Sequence, residues 1–214
     1  MEPFRHPDSP LAAAFPAEFA GDARRVLEVM PNVRLRPSEP FAVVVRGETL
    51  SIPGRIHHDE VPRDRVAHLS PRQRQLLHCL YSRHHDGRVR QLHLARIVGS
   101  CDDWVVPFVV QLAGEYVVEI LTDIRDALRG LDDPGSRLRR AYGEFIMANP
   151  AYFDRTQRRV VSYWSCYYRG AYASFRGYPG STLLDALRCA AADSAGRPWP
   201  GLAPKGATRL DGYC

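Results

Sequence analysis

The chain has almost no lysine. Lys205 is the only one, so arginine carries nearly all the positive charge behind a net charge of +5. Cysteine is scarce as well. The five residues Cys79, Cys101, Cys166, Cys189 and Cys214 are odd in number and never spaced as Cys-x-x-Cys. That pattern encodes neither a disulfide framework nor a zinc ribbon, and it points to a reducing, cytoplasmic setting. Long apolar runs are missing too: the longest, Val105 to Leu121, is interrupted by Gln111, Glu115 and Glu119. The opening "MEPFRHPDSP" places acid and proline where a signal peptide needs apolar residues. Neither a membrane span nor a secretion signal is expected. No Gly-x-Ser-x-Gly, phosphate loop, dinucleotide glycine fingerprint or Glu-x-x-His occurs. Their absence removes the common signatures of serine hydrolases, nucleotide enzymes and carboxylate-bridged di-metal bundles. No cofactor is expected, and the balance tilts away from an enzyme.

What the 214 residues do contain is helical periodicity. The fold class predicted is mainly α: a single multi-helix domain around a long central helix, with a small N-terminal β-hairpin. Residues 1–69 form an extension, 70–194 the helical domain and 195–214 a flexible tail. Within the extension, Ala17 to Met30 is amphipathic, with Phe19, Ala23, Val26, Leu27 and Met30 on one side. "FAVVVRGETLSI" reads as two β-branched runs turning at Gly47-Glu48, with Gly at the first central position. "GRIHHDEVPRDR" has no period and reads as a connector.

From Ser70 the pattern is helix after helix. Ser70, Pro71 and Gln73 form a helix start with a capping box, and Gln73, Leu76, Leu77, Leu80 and Tyr81 share a face. Asp86-Gly87 punctuates, and "RVRQLHLARIV" resumes with apolar residues all round. "DWVVPFVVQLAGEYVVEILTDIRDALR" keeps one phase across Gly114, which predicts a continuous helix of about 25 residues, on the order of 38 Å long. Two arginine-backed helices follow, with start signals at Asp133-Pro134 and at Asp154 with Gln157, and a last one spans Thr182 to Asp193.

Three residue groups are candidates for function. Seven of the eight histidines lie between His57 and His93, and His84, His85 and Asp86 offer the nitrogen and oxygen donors of a Zn, Mn or Fe site. The same residues also suit a helix end, where imidazoles complement the negative C-terminus. Gln111, Glu115 and Glu119 make a polar stripe along the long helix; a buried carboxylate there needs a partner, with Arg88, Arg90 or later arginines available. Between Arg125 and Arg176 ten arginines face five acids, a local excess as large as that of the whole chain. Arg155, Arg158 and Arg169 lie on the outer face of this region and suit nucleic-acid or other anion contact. "RRVVSYWSCYYRGAYASFR" adds aromatics, but the helical wheel groups Trp164, Tyr167, Tyr168 and Phe175 with Val160 and assigns them to the core.

Asp86, Val89, Arg90 and Ile97 within "DGRVRQLHLARIV" resemble the second helix of a HEAT-type repeat, with His93 where that family prefers alanine. The resemblance covers Asp86 to Val98 and implies a helical scaffold with a protein-binding surface. His85-Asp86 resembles the dyad of HD-type metal phosphohydrolases, also all-helical, although here Gly87 follows at once. "VRQLHLARIVGSCDDWVVPF" is similar in small-residue spacing to a helix-turn-helix, yet its second helix offers valine and phenylalanine where base edges need polar groups. The function expected is therefore a protein-interaction or scaffold role. The alternatives are nucleic-acid binding through the arginine face and metal-dependent phosphohydrolysis at the His/Asp cluster. The partner expected first is another protein, then a nucleic acid.

Overall fold

The computed structural model describes residues 10–33 and 35–201, and among these the chain is mainly α-helical, with one two-stranded antiparallel hairpin. The contacts separate into two compact units meeting at Ile97 and Val98. The first unit runs past residue 69, so the first two helices after Ser70 belong to it.

In the first unit, α1 (Ala20–Val29) follows a 3-10 turn at Ala17–Phe19 and buries Phe19, Ala23, Val26, Leu27 and Met30, the face that the periodicity predicts. The hairpin pairs β1 (Phe41–Val45) with β2 (Glu48–Ile52), Val45 opposite Glu48. Its central residues are thus Arg46 and Gly47, one position earlier than the sequence reading has them. Both have positive φ, 52° and 80°, as a type I′ turn requires. The shift follows from burial: this register sends Val43, Val45, Leu50 and Ile52 together into the core, and a one-residue slip would turn them out.

After the short α2 (Arg63–Ala67), α3 (Pro71–Tyr81) opens with the expected capping box: Gln73 N donates to Ser70 Oγ at 3.2 Å and Ser70 N to Gln73 Oε1 at 2.9 Å. Gln73 and Arg72 then reach Asp22 at 2.8 and 2.6 Å, fastening α3 to α1. Asp86 caps α4 (Gly87–Leu94), accepting from Arg88 N at 2.7 Å. This helix ends at Leu94, so Ile97 of the HEAT-like segment lies beyond it. Leu92 and Ala95 face solvent, which corrects the expectation of contact on every side.

The second unit begins with α5 (Val106–Ala113), every residue of which is buried, with Pro107 in its first turn. The expected continuous helix does not form. Gly114 caps α5, residues 115–117 are non-helical, and α6 (Val118–Ala127) starts afresh after an extended Val117. A small residue at the break lets α5 end against the next layer, since a Cβ at Gly114 would lie 3.3 Å from Thr156 Cγ2. The β-branched Val117-Val118 pair then favours extended backbone over another helical turn. The apolar phase survives because both segments face one core, not because they are one rod.

α7 (Arg137–Ala148) is capped by Ser136, which accepts from Arg139 N, in place of Asp133. α8 (Pro150–Tyr163) starts at Pro150, so Asp154 lies inside the helix and does not begin it. The chain then widens into a π-helical turn, Trp164–Tyr168, before α9 (Pro179–Ala195). α7 and α9 are packed so closely that a Cβ at Gly143 would collide with the Ala190 carbonyl. Beyond α9, Trp199 meets Phe153 edge-on at 6.5 Å, and Gln157 donates to the Pro200 carbonyl. The remainder of the expected tail, residues 202–214, lies outside the described residues.

Candidate functional site

The histidine-rich segment turns out to be a backbone junction. Ile56 bridges His84 as in a parallel ladder: Ile56 N donates to Arg83 O and His85 N to Ile56 O, each at 2.9 Å. The connector is thereby clamped to the α3–α4 turn, an order its lack of periodicity did not reveal. Arg83, fully buried, donates to the carbonyls of Pro53 and Gly54 at 3.3 and 2.7 Å. Arg90, also buried, donates to those of His84 and His85 at 2.9 Å each. Guanidinium suits this task because its planar fork serves several acceptors at once.

Both ring nitrogens of His84 are engaged by backbone. Nε2 lies 3.0 Å from the His58 carbonyl, and Nδ1 accepts from Asp86 N at 3.1 Å, which fixes the Nε2–H tautomer. Burial, then the neighbouring His85, holds its pKa below the usual value. His85 is exposed and stacked on His57 at 5.1 Å, and Asp86 is occupied in capping, its pKa lowered first by the Arg88 N–H. The three candidate donors His84, His85 and Asp86 therefore do not converge. No group of three or more His, Cys, Asp or Glu among the described residues is arranged to hold a metal ion.

A different histidine pair is the electrostatically unusual one. His78 Nδ1 and His93 Nδ1 are 2.9 Å apart, one donating and one accepting, while His93 Nε2 is 3.4 Å from Glu60 Oε1. Tyr81 stacks on His93 at 4.9 Å. Burial pushes both pKa values down to about 4, helped at His78 by His93, Arg96 and Arg74 and at His93 by His84 and Arg96. Two arginines nearby also work against a bound cation. His78 and His93 are fifteen positions apart, one on each helix of the pair, and no sequence spacing signals their meeting.

In the second unit the polar stripe is broken up. Gln111 is buried at the end of α5, where its Oε1 accepts from Tyr152 OH at 2.8 Å. Glu115 is buried within the break, and Glu119 is exposed in the first turn of α6, where the helix dipole favours a carboxylate. Glu115 and Glu119 are thus not an i, i+4 pair on one helix, and the expected common face does not exist.

The arginine face does form. Arg155 and Arg158 are exposed along α8, Arg159 is half-buried beside them, and Arg169 is exposed just past the π turn with its guanidinium 5.3 Å above the Trp164 ring. Among the described residues no carboxylate pairs with Arg155, Arg158 or Arg159. The aromatics beside them need a correction. Trp164 and Phe175 are buried and meet edge-on at 5.4 Å, but Tyr167 is 70% exposed. The π turn is the cause: its wider i→i+5 winding advances each residue by a smaller angle than an α-helix, so position 167 rotates off the core side. Tyr168 stays closer to it, stacking on Tyr178 at 5.4 Å and donating to the Tyr116 carbonyl.

That last bond carries the break between α5 and α6 to the end of α8. Tyr116 is 53% exposed, meets Tyr163 at 6.1 Å, and Tyr163 meets Tyr167 at 6.2 Å. The result is a row of three tyrosine rings continuing the arginine row, with the two end rings open to solvent. Comparison with protein-family models, curated proteins and solved structures finds no match to this chain.

Proposed function

We propose that this protein is a non-catalytic binding or scaffold module whose contact surface is the outer face of α8, the π turn and the α5–α6 break. One observation carries the reading: Tyr116 and Tyr167, both largely exposed, flank the Tyr163 ring, and the Tyr168 hydroxyl fastens the Tyr116 backbone beside them. Tyrosine and arginine concentrate at the centres of interfaces because they bury much area at low entropic cost. Ordering them before binding reduces that cost further. The resemblance of Asp86–Val98 to a HEAT-type helix points toward the same scaffold class, and no helix among the described residues is long and apolar enough to cross a membrane.

A photo-crosslinking residue at position 167, with the exposed Leu92 of the first unit as the control position, tests the reading. Illumination in cells should give a discrete adduct from position 167 and not from 92. Equal labelling at both, or none at 167, would remove this face from consideration.

A further inference from the structure

We infer that the α8 face binds single-stranded nucleic acid, with the arginine row following the phosphates and Tyr116 and Tyr167 stacking on unpaired bases. The inference rests on the interaction-face reading above and assigns its partner.

Some arginines of the chain have carboxylates, as where Arg25 meets Glu28 at 2.8 Å, Arg72 meets Asp22 at 2.6 Å and Arg125 meets Asp126 at 3.0 Å. Arg155, Arg158 and Arg159 follow one another along α8 with no carboxylate partner among the described residues, and the cation at Arg169 sits over an indole. A row of uncompensated cations sets up a positive potential that a polyanion answers better than a neutral surface does. From Arg155 to Arg169 the row runs about 20 Å at 1.5 Å per residue, long enough for several phosphates. Two carboxylates border this surface: Glu119 on α6, near the Tyr168 hydroxyl, and Asp154 on α8, half-buried and accepting from Gln157 Nε2 at 3.3 Å, so the arginines outnumber the acids.

Charge alone would equally suit an acidic protein, and the tyrosines decide between them. An acidic peptide would use the guanidinium groups and leave two open aromatic faces without planar partners, whereas a single strand presents phosphates and bases together. Stacking on a side chain needs bases with free faces, so a duplex, whose bases are already stacked, is disfavoured. Serines Ser162 and Ser165, exposed on the same stretch, add hydroxyl donors for phosphate oxygens.

The test is fluorescence anisotropy on the full chain, with a labelled twenty-nucleotide oligo-dT, the matching oligo-U, a twenty-base-pair duplex and poly-glutamate, each over a salt series. The single strands should bind more tightly than duplex or poly-glutamate. Tyr167→Ala and Tyr116→Ala should each weaken single-strand binding by roughly 5- to 150-fold, the usual worth of one base–aromatic stack, while Tyr167→Trp restores it. Replacing Arg155, Arg158 and Arg169 together with alanine should lower the slope of log affinity against log salt by about 2, at about 0.7 per phosphate contact on a single strand. Glu119→Gln should tighten binding. The control Arg137→Ala/Arg140→Ala, which removes two exposed arginines of α7, should leave it unchanged. Equal affinity for duplex, insensitivity to both tyrosine variants, or preference for poly-glutamate would each overturn the assignment. If no probe binds while position 167 crosslinks to a protein, the binding face stands and the nucleic-acid partner falls; if neither occurs, both fall.

Discussion

Two sets of arginines, one in each unit, do opposite things. In the first, Arg83 and Arg90 are buried and donate to the carbonyls of Pro53, Gly54, His84 and His85. In the second, Arg155, Arg158 and Arg169 stand in solvent beside exposed tyrosines. The distinction is one of backbone: where helix ends and a connector leave carbonyls inside a core, a guanidinium satisfies them. Where the backbone is already satisfied along α8, the guanidinium remains available to a partner. A histidine-rich stretch that looks like a metal site is therefore a structural junction, and an arginine-rich helix that looks merely solvated is the surface proposed above for contact.

The sharpest way to break this comparison is to truncate an arginine in each unit. Arg83→Ala should destabilise the protein by about 2–4 kcal/mol in urea denaturation, because it takes a donor from the Pro53 and Gly54 carbonyls, leaves Gly54 only its bond from Arg55, and opens a void where the fully buried side chain lay. Arg158→Ala should change stability by less than about 0.5 kcal/mol. Similar losses at the two sites would show that the division between structural and surface arginines is wrong.

Next comes packing in the second unit, where Gly143→Ala should cost about 1–3 kcal/mol, since the new methyl meets the Ala190 carbonyl and α7 must move off α9. A variant melting like the parent would mean that the two helices are not so close.

The first unit should also respond to acid. With His78 and His93 held at about 4 when folded against 6.5 in a free imidazole, the unfolded chain binds more protons between these values. Stability should thus be undiminished above pH 6.5 and fall as pH drops toward 4. Melting temperatures measured across this window should decline less steeply in His78→Gln/His93→Gln than in the parent; parallel curves would exclude this pair as the source. Smallest among the losses expected on destabilising the fold, Gly47→Ala should cost about 1–2 kcal/mol at most, by placing a side chain at φ 80° in the hairpin turn. Chemical denaturation would register it, and a neutral outcome would argue against the I′ geometry.

Much of this fold is readable from residue patterns. The Ser70–Gln73 capping box, the buried face of α1, the hairpin and the Asp86-Gly87 boundary follow from local chemistry: a hydroxyl near free N–H groups, apolar residues at helical spacing, a turn-forming glycine. The arginine face was legible for the same reason, since charged residues on the side opposite an apolar stripe must meet water. The site was only half legible. Periodicity placed Tyr167 in the core and Glu115 with Glu119 on one helix, because a wheel assumes that every residue turns by 100° and that phase means continuity.

Sequence by itself determined the helical class, the Ser70 and Asp86 helix starts and most of the apolar faces, because these depend on neighbours within four residues of one another. Only the tertiary structure decided where the long apolar segment breaks, that a π turn swings Tyr167 outward, that Tyr116 arrives beside Tyr163, and that His78 meets His93. Each of these depends on segments distant in the chain competing for the same buried volume, and no local pattern records the outcome of that competition.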